Sequence, residues 1–272
     1  MMSAKPNRQP TIFLPHGGGP CFFMDWTWGP ANTWNATQRF LEGLAATLPE
    51  PPKALLVVSG HWEEPAFTAG SGAQPKLIFD YSGFPDDTYR LTWPAPGEPE
   101  LAARVTRMLG AAGLPPALDP NRGYDHGVFV PLKVAFPGAE IPVVTLSLAA
   151  GLDPELHLAA GRALAPLRDE GVLIVASGMS FHNLRGYLQP QTAERARAFD
   201  AWLTKAAELP ASERDSLLRD WHSAPFAAYC HPREEHLIPL LVAAGAGGEA
   251  AGKCIFKDEP MGAAISAYRF DG

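Results

Sequence analysis

The chain has 272 residues with 46% hydrophobic and 19% charged content, the make-up of a folded α/β-sized globular protein and not of a disordered one. A formal net charge of −7 leaves no basic footprint for nucleic acid, no apolar run reaches membrane-spanning length, and residues 1–10 lack the apolar core of a secretory leader. Three cysteines, Cys21, Cys230 and Cys254, with no C-x-x-C spacing exclude a disulfide framework and make the cytoplasm the expected location.

The first apolar run, Thr11-Ile12-Phe13-Leu14-Pro15, reads as a strand that hands His16 to the turn Gly17-Gly18-Gly19-Pro20. That turn fits neither phosphate-loop frame, and its glycines are read as backbone room beside His16. Residues 35–48 carry helical spacing through Phe40, Leu41, Leu44 and Leu48, and Pro49, Pro51 and Pro52 end the helix. Ala54-Leu55-Leu56-Val57-Val58 is then a strand of the kind covered on both faces in parallel sheets. Ser59-Gly60 breaks it, so that His61 is expected where the strand gives way to a loop.

From Glu63 to Pro99 periodicity is weak. Short strands are expected at 68–70 and 76–80, and the aromatic, turn-rich stretch 79–89 has the length and composition of a functional loop. A helix opens at Glu98-Pro99-Glu100, and His126 sits at a loop-to-element junction in Gly123-Tyr124-Asp125-His126-Gly127. Residues 141–148 read as a strand, and Asp153-Pro154-Glu155 starts a helix reaching about Glu170. Val172-Leu173-Ile174-Val175-Ala176 repeats the buried-strand grammar and is followed by His182. Helices are expected at 191–207, 212–221 and 233–244, the last enclosing His236, and residues 262–270 read as a final strand. This alternation predicts one α/β domain over residues 1–272, a central, mostly parallel sheet flanked by helices.

Three buried-type strands each deliver a histidine, His16, His61 and His182, to one edge of the sheet. In open α/β sheets ligands bind outside the strand C-termini, and neutral imidazole is the commonest metal ligand, so the pattern points to a metal site there. Without a cysteine cluster a structural zinc site is disfavoured, and donors with open positions make a catalytic centre. His157, inside a helix, and His222, in a polar run, keep the more ordinary structural or exposed reading. His231 and His236 flank Pro232-Arg233-Glu234-Glu235 at a helix start. No G-x-S-x-G or H-E-x-x-H frame occurs.

Six segments, in order along nearly the whole chain, carry a resemblance. They are 14–20 (LPHGGGP), 57–62 (VVSGHW), 79–85 (FDYSGFP), 123–127 (GYDHG), 176–178 with 182–184 (ASG, HNL) and 231–240 (HPREEHLIPL). Together they resemble the class III extradiol ring-cleaving dioxygenases, in the 4,5-DOPA dioxygenase-like branch; Gly18-Gly19 departs from the family's more usual His-Gly-Ser-Pro turn. The resemblance implies a non-haem metal enzyme that opens a catechol, DOPA-like or otherwise substituted, with O2. It implies His16, His61 and His236 as metal ligands, with His231 and Glu235 as rivals for the third place. His182 matches the acid/base histidine, able to enter the shell as a fourth ligand when zinc is bound, and His126 matches a histidine near the substrate oxygens. Fe(II) is implied for activity, with Zn(II) as an ion the purified protein can carry.

Two other functions fit the same residues. The histidines around zinc could activate water in a hydrolase, and the fold also resembles non-enzymatic ligand- or partner-binding proteins. Arg90, Arg185 and Arg233 are the candidates to pair a substrate carboxylate, Phe22, Trp62, Phe79 and Phe129 the candidate pocket wall. Oligomeric state stays open.

Overall fold

The structure, a computed structural model, describes residues 8–272; the first seven residues, with the expected domain start at Met1, lie outside the described residues. Eight strands form one sheet: β1 (Thr11–Pro15), β2 (Ala54–Glu64), β3 (Phe67–Gly70), β4 (Pro116–Asp119), β5 (Val143–Ala149), β6 (Val172–Gly178), β7 (Gly252–Asp258) and β8 (Ile265–Phe270), in the order β4-β3-β5-β2-β6-β1-β8-β7. The central four, β5-β2-β6-β1, are mutually parallel. β3 joins β5, and β8 joins β1, antiparallel, while β3 and β4 pair parallel at one edge and β7 and β8 pair antiparallel at the other.

The central strands are apolar throughout because both faces are covered. Along each, successive residues enter opposite cores: Phe13, Leu56, Val58, Ile174 and Ala176 in one, Ile12, Leu14, Leu55, Val57, Leu173 and Val175 in the other. The first core is closed by α2 (Pro99–Ala111), α4 (Pro154–Leu164), α5 (Thr192–Ala207) and α8 (Ile238–Ala246), the second by α1 (Asn35–Leu44) and α3 (His126–Ala135). The short α6 (Ala211–Arg219) and α7 (Ala227–Cys230) complete the first layer. Among the described residues no helix is long and apolar enough to cross a membrane.

Several boundaries differ from the sequence expectations. The strand predicted at 54–58 continues to Glu64, and Gly60 and His61 fall in the register break between Val58 and Glu63 instead of in a loop. Residues 76–80 form no strand beyond a single bridge, Leu77 to Tyr124. The predicted helix 233–244 begins only at Ile238, so His236 lies in the turn that leads into α8 and not within it. β4 and β7, both at sheet edges, have no counterpart among the predicted elements.

Candidate active site

Pairing register brings the site to one edge. β1 and β2 both lie beside β6, with Pro15 opposite Gly178 and Ser59 opposite Ser177, so His16 and His61 leave neighbouring positions at the carboxyl end of the parallel strands. His16 enters the glycine turn, where Gly17 (φ 87°) and Gly19 (φ 57°) take left-handed conformations that a side chain would resist. The third member comes from far along the chain. The carbonyl of His236 accepts a hydrogen bond from the Met179 amide (3.0 Å), which docks the 231–237 turn on the end of β6.

Two glycines make this docking feasible. A Cβ on Gly178 would stand 2.2 Å from the His236 carbonyl oxygen, and one on Gly60 3.0 Å from the Glu235 carbonyl oxygen. We therefore expect Gly178→Ala to push the His236 segment off the sheet edge. It should cost about 1–3 kcal/mol of stability and most of the bound metal, read by urea unfolding and metal analysis; an alanine variant with full metal content would show that the turn is not held in this way.

Three imidazoles converge. His61 Nε2 lies 3.3 Å from His16 Nε2 and 3.0 Å from His236 Nε2. His16 Nδ1 donates to the Gly17 carbonyl (2.9 Å) and His236 Nδ1 to Glu235 Oε1 (2.9 Å), which leaves the Nε2 lone pairs of those rings facing the common point. A proton on His61 Nε2 could bridge to only one of its two neighbours, and the lone pairs left this close repel unless a cation lies between them. Donors about 2.1 Å from one ion stand about 3.0 Å apart in a facial octahedral set and about 3.4 Å apart in a tetrahedral one, so the observed spacing fits a divalent transition metal. Burial holds His16 and His236 well below the ordinary imidazole value, and burial together with His126 pushes His61 down to about 3. All three rings are neutral at physiological pH, the form that binds metal.

Two more histidines flank this cluster, each oriented by a carboxylate. His182 donates from Nδ1 to Glu235 Oε1 (3.1 Å) and stacks on His236 with ring centroids 3.4 Å apart. His126, the first residue of α3, meets Asp80 Oδ1 through both its ring Nδ1 and its backbone amide, each at 2.9 Å. Burial alone would raise both carboxyls, but the hydrogen bonds from His182 and His126 hold Glu235 and Asp80 below the usual carboxylate range. The groups His61–Asp80–His126 and His182–Glu235–His236 also have metal-ligand spacing, yet their carboxylates are engaged in steering the rings.

Beneath the site, buried Asp125 joins β2 to α3. It accepts from Ser59 Oγ (2.8 Å), caps α3 at the Val128 amide (3.2 Å) and pairs with Arg122 (2.5 Å), while the His61 amide in turn donates to Ser59 Oγ (3.2 Å). Burial raises the Asp125 carboxyl, against the pull of Arg122.

The structure thus brings together His16, His61, His236, His182 and His126, with Glu235 beneath two of the rings. His231 is elsewhere: its Nε2 donates to the Ser180 carbonyl (3.0 Å) and its ring packs on Phe199 and Trp221. His157 is a core histidine bonded to the Asp153 carbonyl and Ala149 amide. A cavity of about 540 Å³ opens above the cluster. Its walls are not those expected from the sequence, for none of Phe22, Trp62, Phe79 and Phe129 is among the lining residues. Trp26, Trp28, Trp34, Tyr81, Phe84 and Tyr187 line it instead. Trp26, Trp28 and Trp34 belong to the segment between β1 and α1, and three tryptophans in nine residues, shortly after the glycine turn, were the available signal. Asp80 as a ring-orienting carboxylate was the other residue the sequence reading passed over.

Known proteins resemble the chain along nearly its whole length. The family model described as the catalytic LigB subunit of aromatic ring-opening dioxygenase matches residues 10–270. Dioxygenase tasH of Hapsidospora irregularis is 36% identical over 99% of this chain and 88% of its own length. The 4,5-DOPA dioxygenase extradiol of Beta vulgaris is 37% identical, covering 91% of this chain and 90% of that protein, and its namesake of Portulaca grandiflora 39% identical, covering 88% and 86%. A crystal structure of the uncharacterized protein JW3007 of Escherichia coli K12 superposes with a TM-score of 0.78 at 28% identity, covering 97% of this chain and all of that one. Matched from end to end in sequence and in fold, the chain belongs to the LigB family of aromatic ring-opening dioxygenases, in the branch of the 4,5-DOPA dioxygenase extradiol proteins.

Proposed function

We propose that residues 1–272 form one catalytic domain that opens the ring of a catechol with O2, by extradiol cleavage, at a single non-haem ion held by His16, His61 and His236. The observation that carries this reading is the convergence of three neutral imidazoles on one point at the floor of an aromatic-walled cavity, with two further histidines held by carboxylates at its sides. Fe(II) bound there would supply the electronic link between the catechol and O2 that neither has alone; zinc is an ion such a nitrogen-rich site could also retain, without that redox role, with His182, whose ring stacks on His236, as the candidate fourth ligand.

The protein's own groups do the rest. With Nδ1 fixed on Glu235, His182 keeps Nε2 free to take a proton from a catechol hydroxyl and return it when the ring opens. His126, with Nδ1 fixed on Asp80, keeps Nε2 for a hydrogen bond to the other ring oxygen or to O2 beside it. With a substrate seated against it, the tryptophan wall would shield the site from water, which competes as ligand and nucleophile. Free Cys21, Cys230 and Cys254 support a reducing, cytoplasmic setting.

Oxygen-electrode measurements on protein loaded with Fe(II) under anaerobic conditions test the reading. One O2 should be consumed per catechol, and labelled dioxygen should appear in an acyclic product. Turnover of an ester or amide without oxygen uptake would assign the centre to a hydrolase instead.

A further inference from the structure

We infer that the substrate is a catechol bearing a neutral, apolar substituent, and that carboxylate-bearing catechols are disfavoured; this rests on the ring-cleavage reading above. The cavity, about 540 Å³, has room for a ligand well beyond a bare catechol ring. Above the histidines its far wall is apolar: Trp26, Trp28, Phe84, Leu184, Leu188 and Met261. Trp26 and Trp28 meet edge to face at 5.4 Å, and Trp28 lies 5.5 Å from Phe84, so the aromatic part is one continuous surface. Trp28, Leu184 and Leu188 are 55%, 72% and 61% exposed at the mouth, large apolar groups that stay in water unless something covers them.

Charge gives the discrimination. Among the described residues no lysine or arginine lines this cavity, and its one carboxylate, Asp80, is already bonded to His126. None of the three candidate arginines reaches it. Arg90 and Arg185 are exposed outside the lining, and Arg233 pairs with Glu63 Oε2 at 2.5 Å. A carboxylate on the substituent would shed water to face an apolar wall and an anion, with nothing to pair it. A phenyl or alkyl group in the same place covers the exposed tryptophan and leucines.

Fe(II)-loaded protein should be assayed with unsubstituted catechol, 4-phenylcatechol, 3,4-dihydroxyphenylacetate and dopamine, with anaerobic affinities read from quenching of tryptophan fluorescence. We expect kcat/KM for 4-phenylcatechol to exceed that for the carboxylate by at least about 30-fold, with affinities in the same order. Equal or better use of the carboxylate overturns the inference, and so does a preference for dopamine, which would make the wall a cation cage. In both cases turnover of unsubstituted catechol leaves the ring-cleavage reading standing, whereas no uptake with any of the four removes both. Leu184→Arg, at an exposed position that tolerates the change, should shrink the phenyl-to-carboxylate ratio by about 10-fold by giving the carboxylate a partner. An unchanged ratio would mean that the substituent does not reach this wall.

Discussion

His61→Ala protein should retain no stoichiometric ion and show no oxygen uptake, a loss greater than about 10⁴-fold, because the acceleration lost with the ion is on the order of 10⁶ or more. The size of the effect comes from the position of the ring. His61 Nε2 is the member within 3.3 Å of both other nitrogens, so its removal leaves His16 and His236 as a pair on opposite sides of a gap. His236→Ala should behave in the same way. His231→Ala should not: it takes away a buried ring bonded to the Ser180 carbonyl, at a cost of about 1–3 kcal/mol in stability, and leaves the ion in place. Metal analysis of the three variants beside wild type decides the matter. Should His231→Ala lose the ion and His236→Ala keep it, the third ligand has been assigned to the wrong histidine.

His182→Ala should separate the two properties that His61→Ala loses together. The ring does not belong to the converging trio, and its Nδ1 is committed to Glu235, which continues to hold His236 after the substitution. Iron content and anaerobic catechol binding should stay near wild type. Turnover should fall by 10²–10⁴-fold, the usual contribution of a positioned acid/base and equivalent to about 3–5 kcal/mol of transition-state stabilisation. The loss of stacking on His236, 3.4 Å centroid to centroid, will loosen that ring slightly, so a modest drop in metal affinity is compatible with the role. Complete loss of iron is not, and would make His182 an obligatory ligand.

The buried strands were the most legible part of the chain. β1, β2, β5 and β6 are runs of aliphatic residues because both faces are covered, and such runs announce themselves locally. The edges were not legible. β4, Pro116–Asp119, is almost wholly exposed, and β7 mixes lysine with half-buried apolar residues, so neither has the alternation or the apolar run that marks a strand. His61 was misjudged by a related effect: Ser59-Gly60 looks like a strand end, but the glycine is there to let the Glu235 carbonyl approach while the strand goes on. That approach joins residues 175 apart, and no local pattern encodes it. The pocket wall failed for the same reason. Which aromatics face a cavity depends on how the segment between β1 and α1 folds over the sheet edge, whereas Phe129 and Trp62 were only near the histidines in sequence. The glycine turn beside His16 is the opposite case, since its two left-handed residues permit little but glycine.

The origin of the proposed ligands from distant parts of the chain bears on how the enzyme matures. His16 and His61 leave the ribosome early, while His236 and the Glu235 that steadies His182 follow near the end of synthesis. A nascent chain that stops short of this turn has two of three donors and an unanchored base. With this ligand set, metal acquisition would be tied to completion of the polypeptide. Truncated products would lack the third proposed donor, and with it a centre at which a bound ion could meet oxygen without a substrate to accept it.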